Sequence, residues 1–226
     1  YAQDTADYIY SHPYFLHFWD YTLYRGSLIK VYTYFPGMTR KVTVKYSDNG
    51  DGSCVEVSDY EYNVHRQVVK NGRRTGVKHE EVRTAYTGDL TPCGVYAKMQ
   101  EAGIFSWPVE QTVLRDGKVI SSALTTYRRS DSLFVQDKYY ESRLNTPCPD
   151  TLWRQYNGGF SDWQTDTYGA PKMSYDRYDA IGNIKAATGE GGSCYRYFWD
   201  SSGMYPEAAF TGMLMPLHYE QVADNN

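Results

Sequence analysis

No stretch of the sequence approaches the roughly 20 consecutive apolar residues that a helix needs to cross a bilayer. No basic leader with a short apolar segment opens it, and its first residue is Tyr1 rather than Met. Tyr1 therefore reads as a cut or processed end. Cysteine is sparse: Cys54, Cys93, Cys148 and Cys194 stand far apart, without CxxC or zinc-ribbon spacing. They suit either two disulfides in an exported protein or four free thiols. A chain of 226 residues folds without staples, so the count does not choose a compartment. Histidine is equally thin. His12, His17, His65, His79 and His218 show no HExxH or HxH pattern, and His79-Glu80-Glu81 lacks a second His. They read as core or surface residues. No Gly-x-Ser-x-Gly elbow and no P-loop occur. Asp48 and Asp51 lie among glycines but miss the spacing of a calcium loop. The expectation is no cofactor, no metal and no catalytic residue. An excess of positive charge is also missing. With 23 Lys and Arg against 27 Asp and Glu, the formal charge is −4, which makes no electrostatic case for nucleic acid or an anionic membrane.

What the sequence has is tyrosine: 24 of 226 residues, beside five Trp and eight Phe. A tyrosine joins an apolar ring to a hydroxyl, so it serves half-wet sheet faces and binding surfaces alike. Many of the aromatic residues sit in alternating runs that suit pleated strands. Tyr14–Tyr24 and Leu28–Phe35 read as strands broken at Arg25-Gly26-Ser27. Lys41–Tyr46 alternates, and Asp48–Gly52 is a turn by its Asn-Gly and Asp-Gly pairs. Cys54–Val64 returns from it. Asn71-Gly72 reads as a second turn and Asp116-Gly117 as a third, joining Val109–Arg115 to Lys118–Arg129 in the cleanest hairpin of the chain. Ser132–Leu144 is the next strand. The basic tract Arg66, Lys70, Arg73, Arg74 and Lys78 reads as a solvated hairpin tip.

One segment breaks the pattern. Residues 95–103 predict a short helix, near 93–102, with Val95, Met99 and Ala102 on one face and Gly103 ending it. Thr91 or Pro92 would open it. Pro147, Pro149 and the polar run Asn157–Asp166 mark a linker or long loop, with a soft boundary near residue 150. This divides the chain into 1–150, degenerate hairpins with a bridging helix, and 151–226, regular hairpins and a tail, or leaves one domain.

From Pro171 the chain reads Tyr175-Asp176-Arg177-Tyr178-Asp179-Ala180-Ile181-Gly182-Asn183-Ile184, then Gly189-Glu190-Gly191-Gly192. Tyr195-Arg196-Tyr197-Phe198-Trp199-Asp200 and Gly203 follow. Tyr178 ends a strand, Asp179 caps the turn through its side chain, and Gly182-Asn183 supplies the positive φ that a tight turn needs. Residues 184–187 run back, residues 189–192 reverse, and residues 194–199 return. This string resembles the YD repeat of Rhs proteins, with Tyr178, Asp179, Gly182, Asn183, Tyr197, Trp199 and Asp200 in the motif places. Residues 90–210 resemble that family well, and the first 85 only in style. Trp199-Asp200 stands where a second Tyr-Asp is expected. Upstream hairpins are too degenerate to read as repeats.

The fold expected is all-β, an antiparallel hairpin meander forming a curved sheet, with one short helix. A single hairpin cannot bury its own face, so such units stack with neighbours. The resemblance implies a non-enzymatic segment of a YD-repeat shell or scaffold on an exported, cell-surface bacterial protein, from its C-terminal part and without a toxin domain. The Asp-Pro junction at which some Rhs proteins cut themselves does not occur. Its partners would be the rest of the same polypeptide shell or neighbouring repeats. A second reading is a module that binds carbohydrate or protein through Trp153, Trp163 and Trp199. A third is an enzyme acting on extracellular glycans, for which no carboxylate pair stands out.

Overall fold

The computed structural model describes residues 8–18, 21–31, 37–46 and 53–213, with side chains from residue 37 onward. The chain divides into two units, Tyr1–Lys41 and Val42–Asn226.

The first unit holds β1 (Tyr8–Phe18) and β2 (Tyr21–Val31), an antiparallel pair in which Phe18 faces Tyr21 and Pro13 faces Gly26. The first strand thus ends at Phe18 and the second begins at Tyr21. Arg25-Gly26-Ser27, expected to break the strand, sits inside β2. The partner strand supplies the ladder that fixes these residues, and this overrides the local turn composition. Residues 32–35 of the expected second strand lie outside the described residues.

The second unit is built on one sheet. Its strands are β3 (Arg40–Tyr46), β4 (Ser53–Tyr62), β5 (Val68–Thr75), β6 (Lys78–Tyr86), β7 (Pro108–Arg115), β8 (Lys118–Ser130) and β9 (Leu133–Glu141). The short β10 (Cys148–Pro149) follows, then β11 (Met173–Tyr178), β12 (Ile184–Gly189), β13 (Ser193–Trp199) and β14 (Pro206–Met213). Strands neighbour in chain order from β3 to β14, except that β10 leaves the path to pair with β8 and β9 pairs with β11. The expected antiparallel meander is thus the observed one. The sheet is open and uncurled where a curved one was expected. Among the described residues no strand pair joins β14 to β3 to draw the ends together.

Turn chemistry sets the register. Asp116 and Gly117 have φ of 49° and 76°, the two positive values of a type I′ corner whose twist matches the flanking strands. The expected turn at Asn71-Gly72 is not one: Asn71 faces both Tyr60 and Val82 in mid-strand. The reversal falls four residues later, where Gly76 takes φ 59° and Thr75 pairs with Lys78. That correction also moves the basic tract. Lys70, Arg73 and Arg74 lie along β5, against Glu61, Glu56 and Asp59 of β4, so they are cross-strand partners rather than a solvated tip. The turn expected at Asp48–Gly52 lies outside the described residues.

Between β6 and β7 the chain makes α1 (Gly94–Glu101), as the sequence predicts, with Gly103 at φ 76° just beyond its end. Its buried residues are Tyr96 and Met99, and Ala102 is exposed. The expected face is therefore rotated toward Tyr96. Gln100 holds the helix down, its side-chain amide donating to the carbonyls of Thr87 (2.7 Å) and Leu90 (3.0 Å). The run Asn157–Asp166, expected as linker, contains a second helix, α2 (Asp162–Tyr168), opened by a Ser161–Gln164 capping box. Strands on either side of residue 150, β9 and β11, pair in the same sheet.

α1 and the segment carrying α2 cover the middle strands. The core they close contains Leu90, Tyr96, Met99, Val109, Leu124, Tyr127, Tyr140, Tyr156 and Tyr168. Met99 and Leu124 are wholly buried, and each such side chain contributes about 1.5–3 kcal/mol. Away from this layer the sheet is thin. On β3 the apolar positions Val42, Val44 and Tyr46 are exposed, and so are Phe198 and Phe210 at the other end.

Candidate functional site

The motif at Tyr178-Asp179 forms a closed loop between β11 and β12. Asp179 Oδ1 accepts from the backbone N–H of Ile181 (3.0 Å) and of Asn183 (2.8 Å). The Asp179 N–H donates to the Asn183 carbonyl and the Gly182 N–H to the Asp179 carbonyl. Gly182 has φ 96°. Burial works against ionisation of Asp179, but hydrogen bonds from Asn183, Ile181 and Gly182 outweigh it and hold the carboxyl below its ordinary value.

The same circuit recurs at Asp200, between β13 and β14. Its Oδ1 accepts from Met204 N (2.9 Å) and Tyr205 N (3.1 Å), its N–H reaches the Tyr205 carbonyl, and Gly203 at φ 69° donates to the Asp200 carbonyl. The Ser202 hydroxyl, 2.5 Å from Oδ2, and these backbone donors lower its pKa. A third copy lies at Asn63, between β4 and β5, where the sequence showed no motif. Asn63 Oδ1 accepts from His65 N (3.0 Å) and Gln67 N (2.9 Å), Asn63 N–H donates to the Gln67 carbonyl, and Arg66 N–H donates to the Asn63 carbonyl. Arg66 stands in the glycine place with φ 65°. Asn and Arg in the Asp and Gly places hid this copy. The signal that survives is Tyr62 before an Asx residue and β-branched Val68 after the loop.

Tyrosine and tryptophan clasp the hairpins. Tyr86 at the end of β6 donates to the carbonyl of Val68, the first residue of β5 (3.1 Å). Tyr127 of β8 donates to Pro108, the first residue of β7 (2.6 Å). Trp199, the last residue of β13, donates through its indole N–H to Ile184, the first residue of β12 (2.9 Å). Tyr178, the last residue of β11, reaches Gln136 of β9 (2.7 Å) and carries the Arg128 guanidinium 5.6 Å over its ring. Burial pushes the Tyr178 hydroxyl up to about 12, against the lowering influence of Arg128. Each ring packs while its polar end satisfies a strand carbonyl, at the mouth of a hairpin for Tyr86, Tyr127 and Trp199 and in mid-strand on β9 for Tyr178.

The expected binding aromatics do not form one platform. Trp153 and Trp163 meet edge to face, 4.8 Å between centroids at 88°, and Trp153 packs on the core. The Trp153 indole N–H is buried without an acceptor. Trp199 is committed to its clasp, and Tyr197 is half-buried on the same strand. Beneath α2 lies a group the sequence did not mark. Glu110 of β7, 1% exposed, accepts from Tyr168 Oη (2.5 Å) and from Tyr156 N–H (2.9 Å). Burial pushes its carboxyl up, and the donors Tyr168, Tyr156 and Ser122 only partly hold it down. On the same face, Arg83 grips Asp150 through its two terminal guanidinium nitrogens (2.6 and 2.8 Å) and reaches Glu81 through Nε (2.5 Å), and Glu81 pairs with Lys70 (3.5 Å). This bidentate contact fixes the β10 segment on β6.

All four cysteines are free thiols in this structure. Among the described residues no cluster of His, Cys, Asp or Glu is grouped to hold a metal, and no helix is long and apolar enough to cross a membrane. No protein-family model matches the chain, and no curated protein matches it.

Proposed function

We propose that this chain is a scaffold: a stretch of YD-repeat-type sheet on an exported, cell-surface bacterial protein, laid against further repeats of the same polypeptide. The observation that supports this reading most is the recurrence of one aromatic-Asx loop at 62–68, 178–184 and 199–206. It is joined by aromatic clasps that tie the mouth of one hairpin after another. The side-chain chemistry here is spent on backbone. Asp179, Asp200 and Asn63 accept from turn amides, and Tyr86, Tyr127, Tyr178 and Trp199 donate to strand carbonyls. Groups so engaged order a sheet and leave little for a substrate. The exposed apolar residues near both ends of the sheet, Val42, Val44, Phe198 and Phe210, suit stacking against neighbouring sheet.

The test is association of the purified chain. A scaffold segment with an unpaired strand edge and apolar ends self-associates as concentration rises and binds a hydrophobic dye. A chain that stays monomeric and dye-silent at high concentration counts against the proposal. Specific glycan binding abolished by Trp163→Ala would replace it with a binding module. Glycan turnover abolished by one carboxylate substitution would replace it with an enzyme.

A further inference from the structure

Among the described residues no cation pairs with the Glu110 carboxyl, whose partners are hydroxyls and a backbone N–H. It lies on the covered face of β7, opposite Leu124 of β8 and Ala85 of β6. The titratable groups turned toward it come from the covering segment, Tyr156 and Tyr168. Around these stand Tyr140 of β9, Tyr96 of α1 and the Cys93 thiol. The cation on this face of β6, Arg83, stands opposite Thr112 and is occupied by Asp150 and Glu81.

The hydroxyls beside Glu110 form a chain with two complete arrangements. Tyr168 Oη lies 2.5 Å from Glu110 Oε1 and 2.9 Å from Ser122 Oγ, and Ser122 Oγ lies 3.2 Å from the Gln111 carbonyl and 3.1 Å from Thr112 Oγ1. With Glu110 neutral, its Oε1–H donates to Tyr168, Tyr168 donates to Ser122, and Ser122 donates to Gln111. Every hydroxyl is then satisfied, and Oε2 still accepts the Tyr156 N–H. With Glu110 ionised, the first donor reverses and Tyr168 donates to the carboxylate. A full negative charge is then buried on neutral donors alone, Tyr168, Tyr156 and Ser122. Both contacts to Glu110 from outside the sheet come from one segment: Tyr156 precedes α2 and Tyr168 ends it.

We propose that Glu110 is a proton-operated latch. Neutral, it holds the 150–168 segment on the sheet; on losing its proton to solvent it weakens that hold, and the segment opens to hydrate the carboxylate. The buried rings of Tyr156 and Tyr168 are what the opening uncovers. Because the folded-state carboxyl is raised above its ordinary 4.5, the stabilisation is complete below that value. It is lost as pH rises through the folded pKa.

Hydrogen exchange of the 150–168 amides, corrected for intrinsic rate, tests the latch between pH 4.5 and 8. In the wild-type chain their protection should fall about tenfold for each unit by which Glu110 is raised, while β7 and β8 stay protected. Glu110→Gln keeps the shape, accepts from Tyr156 and donates to Tyr168, so its protection should not change with pH. A flat wild-type profile overturns the latch, as does an equal pH dependence in Glu110→Gln. Infrared titration of the wild-type chain alone gives a second reading should Glu110→Gln fail to fold. A protonated carboxylic acid band must persist above the ordinary carboxylate range, and its absence overturns the proposal.

Discussion

The side-chain amide of Asn183 donates to the backbone carbonyl of Gly203 across 2.7 Å, so the loop after β11 holds the loop after β13. Asp179 Oδ2 orients that amide by accepting its other hydrogen (3.0 Å). Loops two strands apart are thereby linked along the sheet margin, a contact that strand ladders alone do not supply. Ile181 of the first loop lies over Gly203, and the end of its side chain would have to turn aside to admit a Cβ there.

Asn183→Ala should cost about 1 kcal/mol, the worth of one part-buried hydrogen bond of this kind. Gly203→Ala should cost at least as much through the strain of a left-handed residue, with a smaller part from displacing the Ile181 side chain. In the double variant Gly203→Ala with Ile181→Ala, the displacement is relieved but the strain remains. Urea denaturation of the three variants and the double variant checks this, and full additivity would argue against contact between the loops.

Asn63 cannot be exchanged for the aspartate that the other two copies carry. Its amide donates to Asp89 Oδ1 (2.9 Å) and to Gln67 Oε1 (2.8 Å). Asn63→Asp keeps the acceptor for His65 and Gln67 but sets a carboxylate against Asp89. The expected loss is about 1 kcal/mol at neutral pH, with recovery on acidification as one carboxylate protonates. Thermal unfolding at two pH values reads the difference. Equal destabilisation at both would place the fault in the loop rather than in charge.

The clasps should differ in weight with burial. Tyr127→Phe removes the hydroxyl that donates to the Pro108 carbonyl from a buried ring, an expected loss of about 1–2 kcal/mol. Tyr86→Phe, at a more exposed residue, should cost about half as much. Chemical denaturation ranks them, and a reversed order would mean that the clasp hydrogen bonds do not govern these positions.

Acid should loosen the loops after β11 and β13. Asp179 and Asp200 both have folded pKa values below the ordinary 3.8. The stability they add is therefore present above that value and lost as pH falls through the lower, folded one. Nuclear magnetic resonance of the Ile181, Asn183, Met204 and Tyr205 amides should show exchange rising in that range, opposite in direction to the Glu110 segment. Asp179→Asn should remove the transition at its own loop only.

The sequence by itself determined the all-β class, the meander, α1, the Asp116-Gly117 corner and the loop at Asp179. Each rests on interactions within a few residues: a positive φ, a side chain returning to its own turn, alternation along a strand. Only the tertiary structure decided the rest. Asn71-Gly72 became mid-strand because β4 and β6 pair with it from both sides, and Arg25-Gly26-Ser27 joined β2 because β1 lies opposite. The third loop at Asn63 was illegible because hydrogen-bond geometry, not residue identity, defines it. Glu110 reads as one more acid in an alternating strand until Tyr156 and Tyr168, far along the chain, close over it. Burial is a property of the packed molecule, and no local pattern carries it.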